Sequence, residues 1–340
     1  MAIQSLGVFS SAGTTAATSL GSVLLGLKFF EELSAHDAAG EPLIGARTTL
    51  DLETWEGADR LVALAGLALK ECVDGGVASS APPPFSAPLL LCLPEPLPGQ
   101  PGGREVLERI IAEAGAAVSR TDSRFFSTAG GGMFAALDEA NRLLSAGAAR
   151  EVIVGGVDSL VDREPLDTAL RAGRLRTTLN EGTIPGEGAA FLKVSRRANR
   201  DSRAIIVGAA RETETLAPES EPQAPNLGAA LGRAARAALA GAALPPSAVG
   251  TFIHGVAGDR FDFREVGLAM TRLRPRAEPA VAVWSPAGCA GELGAAYEPF
   301  ALALAAQFLH KDATPGPAVM VLGRSHSAQR GAAVIARAPV

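Results

Sequence analysis

The feature that most constrains this chain is an order of segments that occurs twice. Ser127-Thr128-Ala129-Gly130 leads through glycines into an Ala-rich helical pattern, and Ser285-Pro286-Ala287-Gly288 leads through Cys289, Ala290 and Gly291 into another. An apolar strand pattern follows each, at residues 151–156 and 319–323. A Gly-Ala-Ala strand then closes each series, starting at Gly188 and at Gly331. Single matches between Ala- and Gly-rich segments arise by chance, but a shared order points to one supersecondary unit used twice. At 340 residues the chain can hold two such units around cores that need no staples.

Short apolar runs alternate with longer helical patterns, which argues for an α/β architecture with buried strands. Strands are expected at residues 89–93, 151–156, 189–194, 204–208, 251–253, 281–283, 319–322 and 332–336. Helices are expected at 61–72, 106–114, 132–146, 227–243 and 293–309, the last almost wholly apolar. In the helix from Gly132, Met133, Leu137, Ala140 and Leu144 recur at helical spacing, and Phe134, Ala136 and Leu143 widen the apolar face. Pro- and Ser-rich stretches at 76–88, 94–102 and 217–226 read as surface loops. The 47% hydrophobic fraction rests on Ala, Leu and Val, and with 38 glycines it predicts helices packed closely on sheets.

A net charge of −5 provides no basic stripe, and one Tyr and two Trp make no platform for stacking bases, which argues against nucleic-acid binding. Cys72, Cys92 and Cys289 are too scattered for a disulfide framework, and no CxxC pair suggests structural zinc. No basic region precedes Lys28, and Ser10, Ser11, Thr14 and Thr15 interrupt the early apolar stretch. Neither a signal peptide nor a membrane span is expected, and the cytoplasm is the expected address.

Residues 127–147, followed by Val152-Ile153-Val154-Gly155-Gly156-Val157-Asp158, resemble the β-ketoacyl synthases of the thiolase superfamily, in which a Thr-Ala-Cys elbow precedes a long helix, a Gly turn and an apolar strand. The family's spacing from Gly147 puts the nucleophilic cysteine's place at Gly130, so the elbow at 127–132 is degenerate. Asn180 to Ala190 is similar to the family's Gly-Glu-Gly-Ala segment, the most specific match in the chain. His254-Gly255-Val256-Ala257-Gly258, with Asp262 and Glu265, resembles its His-Gly-Thr-Gly-Thr motif. Ser285 to Cys289 falls on its Lys-Ser-Asn-x-Gly-His motif, and Gly323-Arg324-Ser325-His326-Ser327 on its Gly-Phe-Gly-Gly-Thr loop. The resemblance implies a thiolase-like fold, two similar halves in a layered αβαβα arrangement, divided at 1–199 and 200–340.

The family's chemistry needs a thiolate lowered in pKa by a helix N-terminus and two histidines that stabilise the decarboxylating malonyl group. Here Gly130 replaces the thiol and Cys289 the second histidine. Trp284 stands for the motif's lysine and Arg324 for its gate phenylalanine, which leaves His254 of the central set. The resemblance therefore implies a non-condensing, chain-length-factor-like or carrier-protein-binding subunit that dimerises, with itself or an active synthase, through the strand near Arg124-Phe125-Phe126. Thr128, Arg324 and His326 become candidate substrate contacts, Glu187 and Asp158 structural carboxylates, and neither cofactor nor metal is implied. Two readings compete: an acyltransferase or thioesterase using Cys289 with His254 or His326 as base, and a scaffold that binds no acyl group. His254 itself is read either as catalytic or as a hydrogen-bond partner of a neighbouring loop.

Overall fold

Alternation of buried strands with amphipathic helices produces the elements that the patterns predict and several that they do not, among them all those before residue 57 and the helices at 163–171 and 260–273. The first part of the chain runs β1 (Ala2–Ser10), α1 (Ala16–Leu24), β2 (Glu31–His36), β3 (Pro42–Gly45), α2 (Gly57–Asp74) and β4 (Ala87–Leu93). It continues through α3 (Gly103–Ala114), β5 (Val118–Ser127), α4 (Gly132–Ser145), β6 (Glu151–Ser159), α5 (Arg163–Arg171) and β7 (Glu187–Ser195). The second part runs β8 (Ala204–Thr213), α6 (Ala229–Gly241), β9 (Val249–His254), α7 (Arg260–Leu273), β10 (Ala282–Trp284) and α8 (Ala287–Ala290). It ends with α9 (Tyr297–His310), β11 (Ala318–Arg324) and β12 (Gln329–Ala336). These elements come from a computed structural model, which describes residues 1–48, 55–75, 86–128, 132–214, 227–256, 258–274, 280–324 and 328–338. Most of the loops expected at 76–88 and 217–226 lie outside the described residues.

The strands hydrogen-bond in the order β10-β9-β11-β12-β8-β1-β7-β6-β4-β5, with β2 and β3 as a separate hairpin. The order reads as a mirror about the β8–β1 contact, where the antiparallel register is short, Ala2 on Ile205 and Ile3 on Ala204. In each flank a parallel set meets one antiparallel strand: β7 runs antiparallel to β6, and β12 to β11.

Alternation along the strands divides the core into layers. Leu89, Leu91 and Leu93 of β4 face α2 and α3, while Leu90 and Cys92 face a central core with α4 and α9. On the other flank Phe252 and Met320 face α6 and α7, while Ile253, Val319 and Val321 join the same central core. The result is the αβαβα layering the resemblance implies, with α4 and α9 in the middle. Buried residues surround α9 on every side, as its almost unbroken apolar sequence requires. It starts at Tyr297, later than the expected residue 293, because Gly294 sits at φ +49° and a short 3₁₀ turn intervenes. A Cβ at Gly294 would collide with the Asp158 carboxylate, so only glycine fits that turn.

Candidate functional site

Strands deliver their functional residues at their carboxyl ends, where open α/β sheets bind ligands. Thr128 follows β5, and its N–H donates to Leu93 O at 3.1 Å, tying the start of the elbow to the end of β4. Asp158 and Ser159 end β6, Gly255 and Val256 follow β9, and Gly323 lies near the end of β11. All of these line one cavity of about 660 Å³, within the range of about 300–1,000 Å³ usual for small-molecule sites.

Close backbone contacts bring the sequence motifs together around it. A Cβ on Gly258, at φ +84°, would collide with Gly182 O, which seats the His254-to-Gly258 turn on the Asn180-to-Ala190 segment. That segment also bonds to the chain after α8: Gly186 N–H donates to Glu292 O at 2.9 Å, and Glu292 N–H to Ile184 O at 2.8 Å. Three motifs far apart in sequence therefore meet at one wall.

His254 is buried at the end of β9. Its Nδ1 accepts the Val256 N–H at 3.2 Å, so the proton of the neutral ring sits on Nε2. Burial lowers its pKa to about 4, and the ring meets Phe263 edge-on at 6.0 Å. The loop hydrogen bond weighed from sequence is present, and the imidazole enters any chemistry as a neutral group. Cys289 is buried on α8, and its carbonyl accepts the Phe29 N–H at 2.9 Å. No helix dipole activates its thiol: burial pushes the thiol pKa up, Lys28 opposes only in part, and α8 is four residues long. Neither His254 nor Cys289 is among the described residues lining the cavity, whereas Thr128 is. Gly130 and His326 lie outside the described residues, and Arg324 is placed by its backbone alone, as the last residue of β11.

The two carboxylates read as structural are fully engaged. Asp158 accepts Ser159 N–H and Ala295 N–H, each at 2.8 Å, bracing the turn before α9. Glu187 receives Arg60 at 2.6 Å, Thr48 N–H and Oγ1 at 2.8 Å, and Ser159 Oγ at 2.8 Å. Burial alone would raise the Glu187 pKa, but Arg60 and the surrounding donors hold it below the usual value. Glu265 on α7 pairs with Arg330 at 2.6 Å, both side chains fully buried, and Arg330 reaches the cavity wall.

Sequence reasoning passed over Glu298. It lines the cavity from the first turn of α9, and its apolar surroundings push its carboxyl up to about 8. Its signal was available: it is the only charged residue in the stretch 293–309. Beside it the Tyr297 hydroxyl donates to Leu322 O at 3.0 Å, and the ring covers Gly255. Phe134, from α4, lies over the paired glycines Gly323 and Gly331, where any Cβ would strike its ring.

Among the described residues no three His, Cys, Asp or Glu side chains are placed to hold a metal, and no helix is long and apolar enough to cross a membrane. No family model matches the sequence, and a search of curated proteins returns no match. Solved structures do match. A chain of the ketosynthase–chain length factor complex from Xenorhabdus doucetiae superposes with a TM-score of 0.74 at 16% identity, covering 99% of this chain and 98% of that one. A chain of the ishigamide ketosynthase/chain length factor gives 0.71 at 20% identity, covering 99% of each. A chain of a type II polyketide ketosynthase complex with its acyl-carrier protein, bound to the hexaketide, gives 0.80 at 13% identity, again covering 99% of each. The layered halves, the glycine-bound motifs and these superpositions agree that the chain has the thiolase-like fold of ketosynthases and chain length factors.

Proposed function

We propose that the chain is a non-condensing, ketosynthase-like subunit of fatty-acid or polyketide-type biosynthesis, a chain-length-factor-like partner that shelters an acyl chain beside an active ketosynthase. The observation that carries this reading is where the sulfur lies. The sequence has three cysteines, all three are buried, and none is among the described residues lining the cavity beside the β5–α4 turn. At residue 130, the place of the family's nucleophile, stands a glycine. A thioester delivered there meets no thiolate to accept its acyl group.

Pairing has its own support. β5 closes one end of the strand order and, among the described strands, bonds only to β4, which leaves its outer side open there, and Phe125 on it is 42% exposed. The fold neighbours from ketosynthase–chain length factor complexes favour a heterodimer, and the neighbour solved with an acyl-carrier protein favours such a donor. The mirrored strand order supports the division at residues 199 and 200. A cytoplasmic address belongs to the same proposal.

Intact-mass measurement of the purified chain after incubation with octanoyl-N-acetylcysteamine tests the first part, and the expected mass is unshifted. Coexpression with a ketosynthase encoded beside it tests the second: the two copurify, and Phe125→Asp weakens the pair. Decarboxylative condensation by this chain alone overturns the proposal.

A further inference from the structure

The strands β2 and β3 carry few apolar residues, and Leu33 and Leu43 are the large ones that are buried. A two-stranded sheet with so little to bury is not stable alone. This one borrows a core: Leu33 and Leu43 pack with Leu166 of α5 and with Leu175, in a cluster separate from the three larger ones. Polar contacts join the same segments, since Thr178 donates its N–H at 3.1 Å and its Oγ1–H at 2.7 Å to the carboxylate of Asp37 in the hairpin turn. Residues 31–45 and 163–183 therefore make one small body. Neither the hairpin nor α5 packs extensively on any other helix or strand.

This body covers part of the cavity. Pro165, Thr168, Ala169, Ala172 and Leu175 line it from the cap, while Phe134 and Tyr297 line it from the central helices. The cap is held in two different ways. At one margin backbone bonds join it to the sheet: Ala46 N–H donates to Pro185 O at 2.8 Å and Leu160 N–H to Gly186 O at 3.0 Å, and Asp162 at the head of α5 accepts Gly57 N–H at 2.5 Å. Its other polar side-chain ties to the described chain are two, both at the surface. Gln100 Nε2–H donates to Glu164 Oε2 at 2.7 Å, and Arg260 Nε–H to Glu181 Oε2 at 2.9 Å. Gln100 and Asp259, the neighbour of Arg260, line the cavity, so both ties sit at its rim.

Exposed side-chain pairs hold weakly, whereas a segment with its own core opens as a unit. We infer that the hairpin, α5 and the turn at 174–183 form a lid on the cavity, hinged at 46, 160–162 and 185–186 and latched by Glu164–Gln100 and Glu181–Arg260. The lid controls entry for a ligand of any chemistry, so its motion is testable without one and apart from the acyl reading.

Hydrogen exchange of the full chain, read by mass spectrometry, is the test. Peptides covering 31–45 and 163–183 open together, with protection roughly tenfold or more below that of α4 and α9. Arg260→Glu turns the latch on Glu181 into a repulsion and speeds exchange in both peptides by roughly threefold to tenfold, including the hairpin, with which Arg260 makes no polar contact. Adding Glu181→Lys to Arg260→Glu restores an opposite-charge pair and the slower rates. Protection in the two peptides that is unrelated, or as high as in α4 and α9, overturns the lid. So does an Arg260→Glu effect on neither peptide, on 163–183 alone, as in a fraying loop, or on the whole chain, as in global destabilisation.

Discussion

The flank built from β1 and β4–β7 and the flank built from β8–β12 solve one packing problem with opposite charges. In both, a glycine in the strand nearest the seam lets a helix approach closely: a Cβ at Gly7 would strike Ala68 O of α2, and one at Gly208 would strike Ala238 O of α6. In both, a charged residue precedes the Gly-Ala-Ala strand and is buried in an ion pair. On one side it is Glu187, neutralised by Arg60 from α2; on the other it is Arg330, neutralised by Glu265 from α7. The fold thus requires a compensated charge at the head of this strand, and it accepts either sign. The flanks diverge in what they leave open. β5 presents a ten-residue strand at its edge and β10 one of three residues, and the half-buried Glu298 at the cavity comes from α9.

The sharpest way to break the comparison is to remove one partner from each pair. Arg60→Met and Arg330→Met are each expected to cost about 3–5 kcal/mol in urea unfolding, since each strands a buried carboxylate. The double replacements Arg60→Met/Glu187→Met and Arg330→Met/Glu265→Met recover most of that loss. A much larger cost on one flank would show that the two pairs are not equivalent.

The next prediction concerns the glycines after those charges. Gly188→Ala and Gly331→Ala are each expected to cost about 1–3 kcal/mol by overpacking. Only the second should be relieved by trimming Phe134 to Leu, because the obstacle at Gly331 is the Phe134 ring, whereas Gly188 faces the backbone oxygen of Phe9. Thermal unfolding of the three single and two double variants measures the difference.

A smaller effect follows from the raised carboxyl of Glu298. Its pKa is higher in the folded chain than its ordinary 4.5, so the stability tied to holding its proton is present at low pH and is lost as pH rises towards about 8. His254 works in the opposite sense: with its pKa lowered from 6.5 to about 4, it favours the folded state above that window and loses this contribution as pH falls through it. Glu298→Gln should flatten the decline between about pH 4.5 and 8 by roughly 2–4 °C in Tm and leave the loss below about pH 4 unchanged. The smallest effect belongs to the exposed Arg104–Glu108 pair on α3, where Arg104→Ala should change stability by less than about 0.5 kcal/mol.

The buried strands were legible because apolar runs leave little other choice, and α4 because its stripe keeps helical spacing. α7 escaped because two of the residues it buries are acids, Asp262 and Glu265, so the inward face looks polar until Arg330 is seen opposite. β5 escaped periodicity because it is an edge strand and Ser119, Arg120, Thr121 and Asp122 have no core to meet; only the family resemblance located it. At the site, Thr128 was placed through the family resemblance and lines the cavity, whereas His254, at the end of a legible strand, makes a loop hydrogen bond and is not among the described residues lining it. The burial that pushes the Cys289 thiol up is not legible in a cysteine flanked by small residues, which fits an activated thiol and a buried filler alike. Glu298 was passed over for a simpler reason: one acid in seventeen otherwise uncharged residues, 293–309, reads as an interruption of core.

Because α9 has no exposed residue between Tyr297 and Leu309, the residues along most of it are hemmed in by two strand systems at once. A surface helix can drift and let its neighbours adjust, but this one acts as a shared keel. Changing the capacity of the chamber through α9 disturbs both flanks together, so new guests are accommodated most cheaply by altering the turns at its mouth.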